Sequence, residues 1–348
     1  MTSSIGFMQG RLCDMVNGQI QAFPWDDWQD EFKEAHRIGI QNMEWTLDQE
    51  NLYSNPLMLE SGREEIKRLS STYNVDVISL TGDCFMQAPF WKASGPLGVS
   101  LIEDFRAIVE ACSTLNIKII VVPLVDNGSL VSQLQEDRLV EILLQESQNL
   151  ANLGITIAFE SDFSAANLQR FIKRLPSESF GVNYDIGNSA SLGYDVTHEF
   201  LNYGDRVINI HVKDRPLGGT TVPLGLGDAD FEAVFKNLSE HKYQGNYILP
   251  QDLNLALEPF RKIRKAVGDK MDIMVEFHSL WNLPTAIKIA SALEKNSVPI
   301  NSGDGPRSCS SSMVSAPTSA PMPASCTLLQ SCPKSDSDKV EIIRIKST

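Results

Sequence analysis

The feature of this sequence that most constrains its fold is the regular alternation of short apolar segments with longer amphipathic ones. The apolar segments predict β-strands at residues 5–8, 42–47, 75–80, 117–125, 156–159, 181–184, 207–212 and 246–249. The amphipathic segments predict helices near 27–38, 63–73, 101–115, 136–153, 168–175, 197–203 and 231–241. Strands that are apolar along their whole length are typical of a parallel sheet that helices cover.

The number of these units favours a closed barrel. Eight strands, each but the last followed by a predicted helix, within about 250 residues are what an α/β fold of the (β/α)₈ TIM barrel type requires. The alternative is an open doubly wound sheet, which commonly carries a glycine-rich phosphate loop after its first strand. The sequence has no such loop there. We therefore predict one TIM barrel domain over residues 1–251.

The character of the sequence changes after the barrel. Residues 252–295 predict an atypical extension of helix, strand and helix, at about 255–267, 272–277 and 285–293. From about residue 296, Ser, Pro, Cys and Gly dominate without periodicity. Such a segment buries too little apolar surface to offset the entropy of ordering, so we predict a disordered, low-complexity tail over residues 296–348.

The net charge and the lack of a recognisable targeting segment limit the kinds of partner that we expect for this protein. The formal net charge of −14 argues against a nucleic-acid partner, because phosphate backbones bind basic surfaces. The first residues show no signal peptide, and no apolar run approaches the ~18 residues of a membrane span, so we expect a cytoplasmic protein without a membrane partner. Cys13, Cys84 and Cys112 have neither disulfide nor zinc-knuckle spacing. The sequence does not decide the oligomeric state, and a homo-oligomer is one of the states that it allows.

Four polar residues lie at the carboxyl ends of consecutive predicted strands. Glu160 follows strand five, Asp185 ends strand six, His211 lies in strand seven and Gln251 follows strand eight. In a TIM barrel these ends meet at one face, where active sites are built. Two carboxylates, an imidazole and an amide oxygen suit Mn²⁺, Mg²⁺ or Co²⁺, and Zn²⁺ also fits. The sequence therefore predicts a divalent metal site.

Further polar residues near the strand ends are candidates for contact with a substrate. Lys213 is predicted as a second catalytic residue beside Glu160, or as a group that binds substrate or supports the site. The residues predicted to bind substrate are Arg11, Glu44, Asp83, Asp126, Asn188 and Arg215. The two arginines would suit an anion such as a sugar phosphate. The loop 217–227, rich in Gly and hydroxyl groups, is predicted either to close over the substrate or to be a simple connection.

Several stretches of the sequence carry a resemblance to a known family. They are Gly-Phe-Met-Gln-Gly-Arg-Leu at residues 6–12, Ile-Gln-Ala-Phe-Pro-Trp at 20–25, and residues 184–193 and 211–230. Over about residues 5–250 the chain resembles the xylose isomerase-like superfamily of sugar and sugar-phosphate isomerases and epimerases. The resemblance implies that Glu160, Asp185 and His211 are metal ligands. It points to Gln251 as the fourth ligand, a position that is Glu or Gln in the family.

The function implied is that of a divalent-metal-dependent isomerase or epimerase of a sugar or sugar phosphate. A metal-stabilised enediolate would form when Glu160 takes a proton from the carbon between two oxygens. Gln251 carries no titratable proton, which weakens a symmetric two-base scheme and favours one-base isomerisation or a second acid from elsewhere. The alternatives are a metal-dependent dehydratase or lyase of a keto-polyol, of the inosose type, and an inactive barrel relic with a disrupted C-terminus.

Residues 253–295 carry a second resemblance. The runs 258–268 and 272–278 resemble a fragment of the mandelate racemase/enolase superfamily, in which Glu276 would be one of three metal ligands. The strands that would supply the other two ligands are absent, so no second active site is assigned. This abrupt change suggests a joined or rearranged reading frame.

Overall fold

The computed structural model describes residues 4–13 and 22–249. Within these ranges, parallel strands pair in chain order and the last pairs with the first, which closes a barrel. The strands are β1 (Ser4–Met8), β2 (Asn42–Thr46), β3 (Asp76–Thr81), β4 (Ile119–Leu124), β5 (Thr156–Ser161), β6 (Phe180–Asp185), β7 (Val207–His211) and β8 (Asn246–Leu249). The predicted TIM barrel is therefore confirmed.

Helices connect the strands on the outside of the barrel. They are α1 (Asp30–Ile38), α2 (Glu60–Tyr73), α3 (Asp83–Gln87), α4 (Gly95–Thr114), α5 (Gln133–Leu153), α6 (Ala165–Ile172), α7 (Ile186–Leu192), α8 (Val196–Tyr203) and α9 (Phe231–Glu240). The short helices α3 and α7 were not predicted. Each begins within two residues of the end of a strand, and neither is long enough to show a helical period.

Local chemistry sets where these helices begin and end. Asp185 caps α7, since its Oδ1 accepts the backbone N–H of Asn188 at 2.8 Å. Helix α1 ends at Gly39, which adopts the left-handed conformation (φ 80°) that costs an ordinary residue energy. The same helix buries Phe32 and Ala35 against the barrel. Burial of a side chain such as Phe32 stabilises the fold by roughly 1.5–3 kcal/mol.

The strand register brings the predicted site residues together. Asp185 at the end of β6 pairs with His211 at the end of β7. Glu160 lies within β5, paired with Pro123 of β4, and therefore stands inside the sheet and not after it. Glu44 of β2 pairs with Met8 of β1. Asp185, His211 and Glu160 lie at or next to the last residue of their strands, and Glu44 lies in the middle of β2. Because all the strands are parallel, the carboxyl ends that carry the first three residues meet at one face of the barrel.

Several predictions concern parts of the chain outside the described residues. They are the domain boundary at residue 251, the extension over 252–295, the tail over 296–348, Gln251 and Glu276. Their structure stays a prediction. Among the helices that are described, none is both long and apolar enough to cross a membrane.

Candidate metal centre and substrate cavity

Three predicted metal ligands lie together at the carboxyl end of the barrel. Glu160, Asp185 and His211 each offer a ligand atom, and these atoms lie within 4.8 Å of one another. His211 Nδ1 is 3.1 Å from Glu160 Oε2 and 3.8 Å from Asp185 Oδ2. All three side chains are buried. The sequence thus predicted the members of this cluster, while their role as ligands stays a prediction.

The orientation of His211 is fixed from behind by Glu44. His211 Nε2 lies 2.7 Å from Glu44 Oε1, and both side chains are almost fully buried. A carboxylate only accepts hydrogen bonds, so Nε2 is the nitrogen that donates and Nδ1 is turned toward Glu160 and Asp185. A carboxylate that holds the far nitrogen of a histidine in this way is common at metal sites. Glu44 was predicted to bind substrate, and the structure places it beneath His211.

Glu160 is held by two asparagines. Asn183 Nδ2 donates to Glu160 Oε2 at 2.9 Å, and Asn188 Nδ2 donates to Glu160 Oε1 at 2.5 Å. Asn183 lies on β6, whereas Asn188 lies on α7, whose start is capped by Asp185. The carboxylate of Glu160 is therefore fixed in direction by hydrogen bonds to both of its oxygens.

A chain of buried polar side chains runs through the barrel below the cluster. Ser79 Oγ donates to Glu44 Oε2 at 2.8 Å, and Asn209 Nδ2 donates to the same oxygen at 3.1 Å. Asn209 Nδ2 also donates to Asn183 Oδ1 at 2.9 Å, and Asn183 continues the chain to Glu160. These hydrogen bonds join β3, β2, β7, β6 and β5. The network links the supports of His211 and of Glu160 into one unit.

Asp185 forms an ion pair with Lys213. Lys213 Nζ lies 2.6 Å from Asp185 Oδ2. Burial alone would raise the pKa of Asp185, but the charges of Lys213 and His211 outweigh it and lower that pKa to about 2. Burial alone would lower the pKa of Lys213, but Asp185 and Glu160 raise it. The predicted catalytic Lys213 therefore stands beside the cluster as a charged ammonium group.

The residues present fit a divalent cation. Burial alone would lower the pKa of His211, but the carboxylates of Glu44, Asp185 and Glu160 raise it well above 6.5. Three carboxylates around one buried imidazole thus concentrate negative charge that calls for a cation. A bound ion would take the place of the proton that these carboxylates hold on the imidazole, and two carboxylates with a neutral imidazole nitrogen form a donor set that Mn²⁺, Co²⁺ and Zn²⁺ accept in proteins. Glu160, Asp185 and His211 would hold such an ion.

A cavity of about 320 Å³ opens over this cluster. Its lining includes the predicted Arg11, Asp83, Asp126, Asn188, Lys213 and Arg215 together with the three cluster residues. Asp162, which was not predicted, also lines it, as does Thr221 of the predicted loop 217–227. Arg11, Lys213 and Arg215 contribute positive charge after β1 and β7, whereas Asp83, Asp126 and Asp162 follow β3, β4 and β5. The cavity therefore has a basic side and an acidic side.

The loop after β7 is pinned by Asp214, a residue whose role was not predicted. Asp214 is fully buried, and Asp214 Oδ2 accepts the backbone N–H groups of Gly225 at 2.7 Å and Gly227 at 2.9 Å. Asp214 Oδ1 accepts that of Ala229 at 3.2 Å. The predicted glycine-rich loop 217–227 is thus folded back onto the end of β7. The sequence could have indicated this role for Asp214, because an acid just before a glycine-rich loop commonly accepts backbone N–H groups of that loop.

Arg215 ties the same loop to Glu160. Arg215 Nε and Nη2 donate to the carbonyl oxygen of Gly219 at 2.9 and 2.7 Å. Arg215 Nη1 donates to Asn188 Oδ1 at 2.7 Å, and Asn188 in turn donates to Glu160. Arg215 was predicted to bind an anionic substrate. The structure places it in the cavity wall with these protein partners, so it orients Asn188 as well as facing the cavity.

The fold and the cluster agree with a family assignment. The family described as xylose isomerase-like TIM barrel matches residues 32–266, which is more than half of the chain. The chain therefore belongs to the xylose isomerase-like TIM barrel family. Nothing supports the predicted resemblance to the mandelate racemase/enolase superfamily over 253–295. The xylose isomerase-like match itself continues to residue 266, past the point where that resemblance was placed.

Two curated relatives are similar in sequence. The chain is 33% identical over 110 residues to SgbU of Escherichia coli (strain K12), a match that spans 30% of this chain and 38% of SgbU. The chain is 24% identical over 249 residues to the L-ribulose-5-phosphate 3-epimerase UlaE of Shigella flexneri, covering 69% of this chain and 87% of UlaE. The longer match spans more than two thirds of this chain.

Two solved structures share the fold. D-allulose 3-epimerase from Methylomonas sp. in complex with D-allulose superposes with a TM-score of 0.56 at 17% identity, over 73% of this chain and 88% of that one. The IOLI protein with a bound zinc atom superposes with a TM-score of 0.56 at 16% identity, over 76% of this chain and 97% of that one. At such low identity these similarities establish the barrel fold alone.

Proposed function

We propose that this chain is a divalent-metal-dependent epimerase or isomerase of a ketose phosphate, with L-ribulose 5-phosphate as the first substrate to test. The observation that carries the proposal is the cluster of Glu160, Asp185 and His211 under a cavity with a basic side. Support comes from UlaE, a relative that is an L-ribulose-5-phosphate 3-epimerase. The relatives named above do not favour the predicted alternatives, a keto-polyol dehydratase or an inactive relic.

Glu160 is the residue that we assign as the base. A divalent ion, when bound, would draw electrons from the adjacent hydroxyl and carbonyl oxygens of the sugar and acidify the C–H bond beside the carbonyl. Glu160 takes that proton, the electron pair of the C–H bond forms a carbon–carbon double bond, and the π pair of the carbonyl group moves to its oxygen. Asn183 and Asn188 hold the carboxylate so that it reaches the same carbon in each turnover. Return of the proton from Glu160 to the neighbouring carbon, with transfer of the hydroxyl proton from one oxygen to the other, gives the isomer. The epimer requires that a second acid or a water molecule deliver a proton to the opposite face of the first carbon.

Other residues of the site bind or orient. We propose that Glu44 acts through His211 rather than on substrate, because its carboxylate is fully buried behind the imidazole. Lys213 would keep Asp185 ionised and oriented through their 2.6 Å ion pair. Asp83 and Asp126 line the acidic side of the cavity, where carboxylates would accept hydrogen bonds from sugar hydroxyls. Arg11 lies on the basic side, where a guanidinium suits a phosphate.

Solvent deuterium exchange tests the proposal. The full chain, loaded with Mn²⁺, is incubated with L-ribulose 5-phosphate in D₂O, and the products are followed by proton NMR. We expect loss of the signal of one carbon-bound proton and the growth of an epimer or isomer. A panel of ketoses and ketose phosphates defines the preference. Absence of exchange with every member, at full metal occupancy, would refute the proposed function.

A further inference from the structure

The loop after β1 is held by a buried carboxylate that the chemistry above does not use. Glu31, in the first turn of α1, has no exposed surface. Its Oε1 accepts the backbone N–H groups of Gly10 at 2.8 Å and of Leu12 at 3.0 Å. Its Oε2 lies 2.9 Å from the same backbone nitrogen of Gly10. The backbone N–H of Arg11 also bonds to this carboxylate. Three consecutive amides therefore converge on one side chain.

Arg11 is the central residue of this loop, and its side chain lines the cavity. It is 5% exposed, and its Nη2 lies 3.7 Å from Met8 Sδ at the end of β1. Its guanidinium stands on the basic side of the cavity, where the direction of the side chain depends on the backbone of Gly10–Leu12. That backbone belongs to no helix or strand, so Glu31 supplies the partners that a regular element would otherwise give.

Burial of the ionised Glu31 carboxylate lowers the stability of the fold. Burial raises the pKa of Glu31 to about 7, and the three amides and the charge of Arg11 only partly oppose that effect. An apolar residue would fill the same space on α1 without the cost of burying a charge, but it would leave three amides of the loop unpaired. The arrangement is therefore suited to fixing the loop rather than to packing the helix.

We propose that Glu31 is a positioning residue, which fixes the backbone of Gly10–Leu12 so that the guanidinium of Arg11 meets the phosphate of the substrate. The proposal rests on the proposed function, since it takes the substrate to be a ketose phosphate. A guanidinium binds phosphate through two parallel N–H bonds, and that geometry depends on orientation. Loss of Glu31 should therefore weaken binding of the substrate more than it slows proton transfer at Glu160.

The test compares the wild type with Glu31→Gln in the full, Mn²⁺-loaded chain. Glutamine keeps the volume but places an N–H₂ group where the loop needs an acceptor. We expect amide hydrogen exchange in peptides covering residues 6–13 to rise at least tenfold. We also expect KM for L-ribulose 5-phosphate to rise about tenfold, with kcat within twofold of the wild type. Glu64→Gln, the same change at an exposed residue of α2, should alter neither quantity.

A double-mutant cycle with Arg11→Met separates positioning from a general loss of structure. If Glu31 acts through Arg11, the double variant should have the KM of Arg11→Met alone. KM effects that multiply in the double variant, or a folded Glu31→Gln with unchanged amide exchange or unchanged KM, would overturn the proposal. If Glu31→Gln does not fold, Glu31→Asp decides by the same readouts, since it keeps the charge but is one methylene shorter.

Failure of the inference can be distinguished from failure of the proposed function. If the wild type catalyses no exchange on any sugar, the proposed function fails. Amide exchange and calorimetric binding of inorganic phosphate then decide whether Glu31 positions Arg11. Weaker phosphate binding in both Glu31→Gln and Arg11→Met supports it, and unchanged binding in either variant overturns it.

Discussion

Substitution of Glu44 by Gln should weaken metal binding without removing a ligand. Glu44 holds His211 Nε2 at 2.7 Å and accepts hydrogen bonds from Ser79 and Asn209 on its other oxygen. Glutamine would place an N–H₂ group against one of these donors and remove the charge that makes the imidazole a stronger donor to a metal. Loss of such a support typically lowers affinity 10–100-fold, or about 1.4–2.7 kcal/mol.

The affinity is measured by competition for Mn²⁺ with a fluorescent chelator, at pH 7.5, on the full chain. Glu50→Gln, at an exposed residue after β2, is the matched control and should bind Mn²⁺ like the wild type. Thermal unfolding of the metal-free proteins shows whether the variant remains folded. A folded Glu44→Gln with wild-type affinity but a raised KM would refute the reasoning and return Glu44 to its predicted role in binding substrate.

Further substitutions test the ligands, the base and the buried acid. His211→Ala should lower Mn²⁺ affinity at least tenfold in the same competition assay. Glu160→Gln should retain much of the metal but lose solvent exchange by roughly 10²–10⁴. Gln251→Glu should increase 3-epimerisation, measured by NMR, because it adds a second carboxylate. Burial raises the pKa of Glu31 to about 7, so its ionisation opposes folding. The unfolding free energy of the wild type relative to Glu31→Gln should therefore fall by about 3 kcal/mol between pH 4.5 and pH 7, in urea titrations.

The sequence predicted the barrel well because its signals are repeated. Each strand is an apolar run and each long helix has an apolar face, so eight units reinforce one interpretation. The prediction of Glu160, Asp185 and His211 followed from the same repetition, since the ends of parallel strands meet at one face. Strand limits were less accurate. β5 extends to Ser161, because the backbone of a strand pairs with its neighbour whether or not the side chain is apolar.

The supports of the site were harder to predict because they act between segments far apart in the chain. Asn183 and Asn209 are single polar residues in apolar strands, which is a signal that a buried hydrogen-bond partner exists. The identity of that partner depends on how strands β6 and β7 pair, and the register of this pairing shifts after Val182. Glu44 was recognised as a strand-end acid, yet its direction toward His211 depends on contact between residues 167 positions apart.

Glu31 and Asp214 show how the barrel resolves a general difficulty of its cavity loops. A loop that carries a charged side chain into a buried cavity also buries backbone N–H groups that no strand can pair. In both loops a fully buried carboxylate accepts those groups: Glu31 for the loop of Arg11, and Asp214 for the loop that follows Arg215. An amide side chain could accept one or two such bonds, but it would supply no negative charge beside the arginine. Glu31 does both, since it fixes the backbone of its loop and its charge acts on Arg11, so this arginine can lie in the cavity wall before any anion binds.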